Sequence, residues 1–364
     1  MPETAEPPKY AVKPGAADPY ATWLKRTLQQ DRGLLASRYD PEGKFVFTGA
    51  FDYFVHRWDL SDESEEGKRL TLAGHESWVR ALAWFPTTDP AQQLLVSGDY
   101  VGRLIVWPAL AEKPEPKLNF PAHEGSIRSV AVSPDGKSIA SAGNDGFVRV
   151  WSAEDGKKIL ELSGHDCHVY QTAFHPDGKS LISVDLKGVV KHWELPSGKL
   201  VRELDASLLY IYSEKYTVDV GGIRGMSFNA DGSRLACAGA TGERGIAHSG
   251  SARVLLFDWE SGEVKHEFQP GHEEICTAWG VKFHPDGFLI GSGGSRTGGY
   301  LWFWQEGEDE AFHQVKFKQR APGFDLDLAP DLKTLAVANH DGAVRFWEMA
   351  TEPEPPAEAA KKKT

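Results

Sequence analysis

Seven aromatic residues, each closing a short alternating stretch, recur along the chain and limit its fold more than any other feature: Trp58, Trp107, Trp151, Trp193, Phe257, Trp304 and Trp347. Most intervals run from 42 to 49 residues, and the step from Trp193 to Phe257 is 64. A period of this length marks a repeat architecture, in which each unit buries its apolar face only against its neighbours. A turn precedes each of these residues: Pro41-Glu42-Gly43, Pro134-Asp135-Gly136, Pro176-Asp177-Gly178, Ala230-Asp231-Gly232, Pro285-Asp286-Gly287 and Pro330-Asp331-Leu332. Pro presets φ, Asp bonds its own backbone and Gly accepts a positive φ, which together make a tight hairpin. The second unit has a longer loop there, residues 86–92.

Between these marks the pattern alternates with period two. In the third unit residues 129–132, 138–142, 147–151 and 158–162 are four short strands, and no long amphipathic helix is visible anywhere. Four strands per unit, repeated seven times, predict an all-β, seven-bladed β-propeller of four-stranded antiparallel blades. The seventh unit runs out after Met349, one strand short, while residues 23–28 match residues 68–72 in character and placement. The N-terminal strand is therefore expected to complete the last blade and remove the open sheet edge between the chain ends. Residues 1–21 read as a disordered or extended arm, 22–350 as the propeller, and 351–364, rich in Pro, Glu, Ala and Lys, as a disordered tail.

Gly74-His75, Gly164-His165 and Gly271-His272, each followed by a strand, a turn and a terminal Trp, resemble WD repeats. The resemblance spans roughly residues 22–349, and the Pro-Asp-Gly-Lys style of turn is similar to that of stand-alone bacterial members. It implies a hydrogen-bonded tetrad inside each blade, for which the third unit supplies His123, Ser141, Asp145 and Trp151. The other units look degraded. The first keeps Thr48, Asp52 and Trp58 without a His; the second has Val101, and the fourth Lys187, where Asp belongs. The fifth has Cys237 and Phe257, the sixth keeps His272, Ser292 and Trp304, and the seventh keeps Asp341 and Trp347.

Composition narrows the function. The net charge of −12 argues against a broad grip on nucleic acid or anionic lipid, which requires a basic face. Charges interrupt every apolar stretch well before about 18 residues, and the N-terminus lacks the pattern of a secretory signal. Three cysteines without metal-ligand spacing read as small buried residues in a reducing compartment, so a cytoplasmic protein is expected. The histidines at tetrad positions fall one per blade, which suits a structural role better than a metal site, and His175 and His284 read as turn residues. The inner strands carry one acidic pair, Asp325 and Asp327, too few for a channel metal. The Gly-rich stretches 239–245 and 291–299 lack the Gly-Lys-Ser/Thr and helix of a phosphate loop, and no Ser/His/Asp or Cys/His nucleophile arrangement is present. Neither a cofactor nor a catalytic residue is expected. A scaffold binding a protein or peptide partner is the leading reading, with a small-molecule or metal-dependent enzyme using the channel as the alternative.

Two features mark where a partner would sit. Residues 205–221, 241–252 and 293–299 depart from the repeat on one face; the first includes Tyr210, Tyr212 and Tyr216. They are either binding elements or neutral insertions, which surface loops tolerate. The residue opening each inner strand on that face reads Leu35, Arg80, Arg128, Tyr170, Arg224, Trp279 and Phe324 around the ring, with Trp78 and His168 adjacent. Three guanidiniums among aromatic rings form a clamp for a carboxylate or phosphate, an acidic peptide being one option. Alternatively, they pair with Glu76, Glu124, Asp166 and Glu273 and lock the blades together.

Overall fold

The computed structural model describes residues 10–87, 89, 92–213, 217–241, 250–271, 276–295 and 297–352. Its strands form seven four-stranded antiparallel sheets and one two-stranded sheet. The third blade consists of Ile127–Val132, Ser138–Gly143, Val148–Ser152 and Lys158–Leu162, within two residues of the sequence expectation at each end. Each inner strand packs beside the next around the ring, and that of blade seven packs beside that of blade one. The result is a seven-bladed β-propeller.

Closure follows the strand count. Thr22–Gln29 pairs antiparallel with Ala343–Met349 as the outer strand of blade seven, from Thr22 opposite Met349 to Gln29 opposite Ala343. Gly342 accepts the Gln30 N–H on its carbonyl, and a Cβ at Gly342 would stand 2.3 Å from that of Gln30. With φ at 86°, only glycine fits there without strain. The arm preceding this strand is anchored at Tyr10, Ala17 and Pro19, with residues 11–15 between them exposed. Tyr10 stacks on Phe312 at 5.0 Å, its hydroxyl donates to the Asp286 carbonyl, and Ala17 is buried, so the arm fastens blade seven to blade six.

Apolar side chains alternate to both faces of each blade and meet those of the next. Seven buried clusters result among the described residues, one between each neighbouring pair of blades. Phe47, Val55 and Leu72 of blade one, for instance, pack with Val79, Ile105 and Trp107 of blade two. The fully buried Leu28 joins Leu34, Val46 and Trp58, sealing blade seven to blade one. The core is thus a ring of interfaces, each burying large side chains worth about 1.5–3 kcal/mol apiece.

The turns add a second set of inter-blade ties. Gly43, Gly136, Gly178, Gly232 and Gly287 all take positive φ, and in blade seven Leu332 adopts φ 59° at the same position. His175 and His284, expected as turn residues, do more than turn. Each accepts a backbone N–H on Nδ1, from Asp177 and Asp286, while Nε2 faces a carbonyl of the next blade's turn, Gly232 at 3.1 Å and Leu332 at 2.7 Å. Each imidazole thus joins two blades.

The tetrads correct the sequence expectation. In blade three His123 reaches Asp145 (2.9 Å) and Ser141 (2.7 Å), and Trp151 donates to the same serine (2.8 Å). Blades two and four complete the same network with a carboxylate two residues upstream of the expected position. His75 meets Asp99 and Ser97, with Trp107 on the serine; His165 meets Asp185 and Ser183, with Trp193 on the serine. Asp99 and Asp185 end their strands rather than sitting inside the turn, and each also accepts two turn N–H groups, from Val101 and Arg103 and from Lys187 and Val189. Blade one does have a histidine: His56, from the third strand, bonds Asp52 at 2.8 Å while Trp58 donates to Thr48. Cys237 fills the serine position of blade five in an apolar setting, where burial pushes its thiol up. His272 lies outside the described residues.

Candidate binding site at the channel mouth

The ring position read from the sequence has a backbone cause. In six of the seven blades the inner strand slips register at this residue, at Leu35, Arg80, Arg128, Tyr170, Trp279 and Phe324. A bulge leaves one residue unpaired and re-aims its side chain. Arg224 immediately precedes its strand, Gly225–Phe228, and donates its N–H to the Ala238 carbonyl.

These side chains meet in a closed collar. Trp279 contacts Phe324 at 4.9 Å between ring centroids, and Phe324 contacts His340 at 5.4 Å. His340 leads to Phe51, Phe51 to Trp78 at 4.8 Å, and Trp78 to Tyr100 at 5.4 Å. Guanidiniums then complete the circuit. Arg128 lies over Tyr100 and Tyr170, at 4.8 and 5.0 Å; Arg224 lies over Tyr170 and Trp279, at 4.4 and 5.1 Å. Arg80, from blade two, reaches across the mouth to Trp279 of blade six at 5.6 Å. Trp78 is 41% exposed, so an apolar surface faces outward at the rim.

Seven of the nine residues proposed from sequence, Trp78, Arg80, Arg128, Tyr170, Arg224, Trp279 and Phe324, therefore share one place. Phe51, Tyr100 and His340 had been missed. They follow the second strand of their blades, and each donates its N–H to the residue just before or at the start of the inner strand, Gly33, Trp78 or Pro322. Asn144 and Leu186 occupy the same position in blades three and four. A second alignment, on the residue after each second strand, would have found this half of the collar.

Among the described residues the alternative pairing of the arginines with Glu76, Glu124 and Asp166 is absent; Glu273 lies outside the described residues. Arg80, Arg128 and Arg224 have no carboxylate in ion-pair contact; Glu76 binds Arg103 instead, at 2.9 Å. Arg128 is held by Asn144 (2.7 Å) and the Tyr100 hydroxyl (2.9 Å). Burial would raise the Tyr170 phenol, but Arg224 and Arg128, with a smaller share from Arg80, hold it below its ordinary value. Burial and the Arg128 charge lower His168 against the pull of Asp219. The mouth is electropositive in a chain of net charge −12.

Below the collar lies a cavity of about 140 Å³, lined by Arg38, Arg80, Arg128, Arg224, Lys282 and Asp325 among others. The acidic pair of the blade-seven inner strand, Gly323–Leu328, is already occupied. Asp325 accepts from Arg38 at 2.5 Å and Asp327 from Lys282 at 2.7 Å, ties between neighbouring blades. No group of three or more His, Cys, Asp or Glu among the described residues is arranged to hold a metal ion. No described helix is long and apolar enough to cross a membrane.

The departures from the repeat divide into two kinds. Residues 205–221 make a short 3-10 turn, Ser207–Leu209, and a hairpin of Tyr210–Ser213 with Val218–Gly221. Its root is core: Ala206 and Leu209 are buried against Ile223 and Leu235. Its outer side shows Leu208 and Tyr212, 46% and 49% exposed, while the Tyr210 hydroxyl donates to Asp219, which pushes that phenol up to about 12. Tyr216 and residues 242–249 lie outside the described residues. Residues 293–299 largely extend a regular hairpin, with Ser295 opposite Gly298.

Residues 114–152 and 156–194 match the WD domain, G-beta repeat family. These segments run from the outer strand of one blade through three strands of the next, covering the tetrads of blades three and four. The ribosome biogenesis protein WDR12 homolog of Drosophila persimilis is 32% identical over 114 residues, 31% of this chain and 26% of that protein. The small ribosomal subunit protein RACK1y of Oryza sativa subsp. japonica is 36% identical over 89 residues, 24% of this chain and 25% of that protein. The aligned stretches thus span about a quarter of these relatives' lengths. The chain carries WD repeats within a seven-bladed propeller; relatives from flies and rice lend no support to a bacterial style.

Proposed function

We propose that this propeller is a non-enzymatic platform that holds a protein or peptide partner on the face bearing the collar and the 205–221 hairpin. The observation that carries the reading is the set of three guanidiniums at the mouth with no carboxylate partner among the described residues, framed by exposed aromatic surface. Such a set suits an acidic or polar anchor in the mouth and apolar residues along the rim, the pairing of aromatic and arginine groups typical of binding hot spots. The relatives favour the same class: both are named for ribosome biogenesis or the small ribosomal subunit, settings built on protein assembly. Ribosomal assemblies are therefore the first place to look for a partner, alongside the cytoplasm expected from sequence. The alternative, an enzyme using the channel, is disfavoured because Asp325 and Asp327 are taken up by Arg38 and Lys282.

Affinity capture from native extract, comparing the wild-type chain with an Arg128→Ala/Arg224→Ala variant, tests the reading. Loss of the captured partner is expected, and retention at full occupancy overturns the mouth as the site. A Leu208→Ser/Tyr212→Ser variant tests the hairpin separately. It spares the buried Leu209, whereas deletion of residues 205–221 would open the core.

A further inference from the structure

We propose that the group taken up at the channel mouth is a phosphomonoester; this rests on the binding-platform reading and names the chemistry the platform recognises. Two of the cations lining the cavity are neutralised, Arg38 by Asp325 and Lys282 by Asp327. Arg80, Arg128 and Arg224 have no carboxylate partner among the described residues, and all three line that cavity. At Arg224 burial, opposed by Tyr170 and reinforced in smaller measure by the charges of Arg80 and Arg128, pulls the guanidinium below its ordinary value. An anion entering the mouth offsets those charges, and the more charge it brings the larger the effect.

Charge and shape choose between anions. A carboxylate brings one negative charge and two oxygens, whereas a phosphomonoester brings about −1.5 to −2 and three strong acceptor oxygens. Stacked guanidiniums offer N–H edges suited to such oxygens. The donors are available: Arg128 commits its Nε and one terminal nitrogen to Asn144 and Tyr100, which leaves the other, and the Arg224 Nε is buried without a hydrogen-bond partner. The cavity of about 140 Å³ has room for a tetrahedral oxyanion beside the three guanidiniums. Trp78 and Phe51 at the rim offer apolar surface to the bearer of the phosphate.

Isothermal titration of the full chain with phenyl phosphate and with phenylacetate tests the assignment, since the two share a ring and differ in the anion. Phenyl phosphate is expected to bind at least tenfold more tightly, with the gap narrowing to less than twofold in Arg224→Gln. Equal affinities, or a preference for the carboxylate, overturn it. Arg224 is part of the stacked collar, so Arg80→Gln serves as a second variant and thermal melting verifies both folds; a preference unchanged in both also overturns the assignment. A phosphoserine peptide binding more tightly than phenyl phosphate supports a polypeptide source, and the reverse order supports a small phosphomonoester. If Arg128→Ala/Arg224→Ala loses the partner while phenyl phosphate fails to bind, the platform stands and the phosphate is discarded. If phenyl phosphate binds but capture is unaffected, the platform reading fails at this face.

Discussion

At the scale of single residues, the tetrad carboxylates illustrate how burial and pairing compete. Burial alone would raise the carboxyls of Asp99, Asp145 and Asp185, yet hydrogen bonds from the tetrad histidines, joined by backbone N–H groups or by Arg149, hold all three below their ordinary values. A carboxyl depressed on folding contributes stability above its unfolded pKa, near 4, and that contribution is lost as pH falls through the folded value. Changing Asp99 or Asp185 to Asn should cost about 1–3 kcal/mol at pH 7, the range for a charge-assisted bond broken in a buried site. The variants should also show a flatter loss of stability between about pH 4 and pH 2 than the wild type, because the titrating group is gone. Denaturant melts at pH 7 and pH 3 check this; parallel acid profiles for variant and wild type would count against the tetrad as the source.

At the scale of elements, the closing strand bears the greatest consequence per residue. Thr22–Gln29 gives Ala343–Met349 its outer partner, and Leu28 inserts into the seam between blades seven and one. Leu28→Ala should destabilise the fold by about 2–5 kcal/mol, the range for a buried leucine whose surroundings collapse only partly. Removing residues 1–29 goes further by exposing a whole strand edge, which invites pairing with other chains. Thermal melting and light scattering should show a lower midpoint for the first variant and association for the second. A monomeric, equally stable truncation would mean that the ring closes without its clasp.

At the scale of the whole molecule, the distribution of charge matters more than its total. A chain of net charge −12 presents three guanidiniums, without a carboxylate partner among the described residues, in a mouth partly shielded from solvent. The acidic body lowers the long-range attraction of anions, while the mouth binds them at close range, so specificity is set locally. Raising salt from about 50 to about 300 mM should weaken phenyl phosphate binding only a few-fold, since a partly buried site is screened less than an exposed one. A titration series in sodium chloride reads this directly; a loss of a hundredfold or more would point to diffuse surface attraction instead.

The architecture was legible in the sequence because its causes are local and repeated. Period-two alternation, turns such as Pro134-Asp135-Gly136 and the terminal aromatics set strands and blades wherever they occur. The missing fourth strand after Met349 dictated closure by residues 23–28, and alignment alone brought Arg80, Arg128, Tyr170, Arg224, Trp279 and Phe324 to one position. Only the tertiary structure decided which groups touch. Asp99 and Asp185 replaced the expected tetrad position, and His56 reached Asp52 from another strand, because a carboxylate's reach depends on where the strand ends. The collar closed through Phe51, Tyr100 and His340, and the arginines found rings rather than acids. Most of those contacts, such as Phe51 with Trp78 and Arg128 with Tyr100, join residues of separate blades, whose proximity is created by closing the ring and is not encoded in any one repeat.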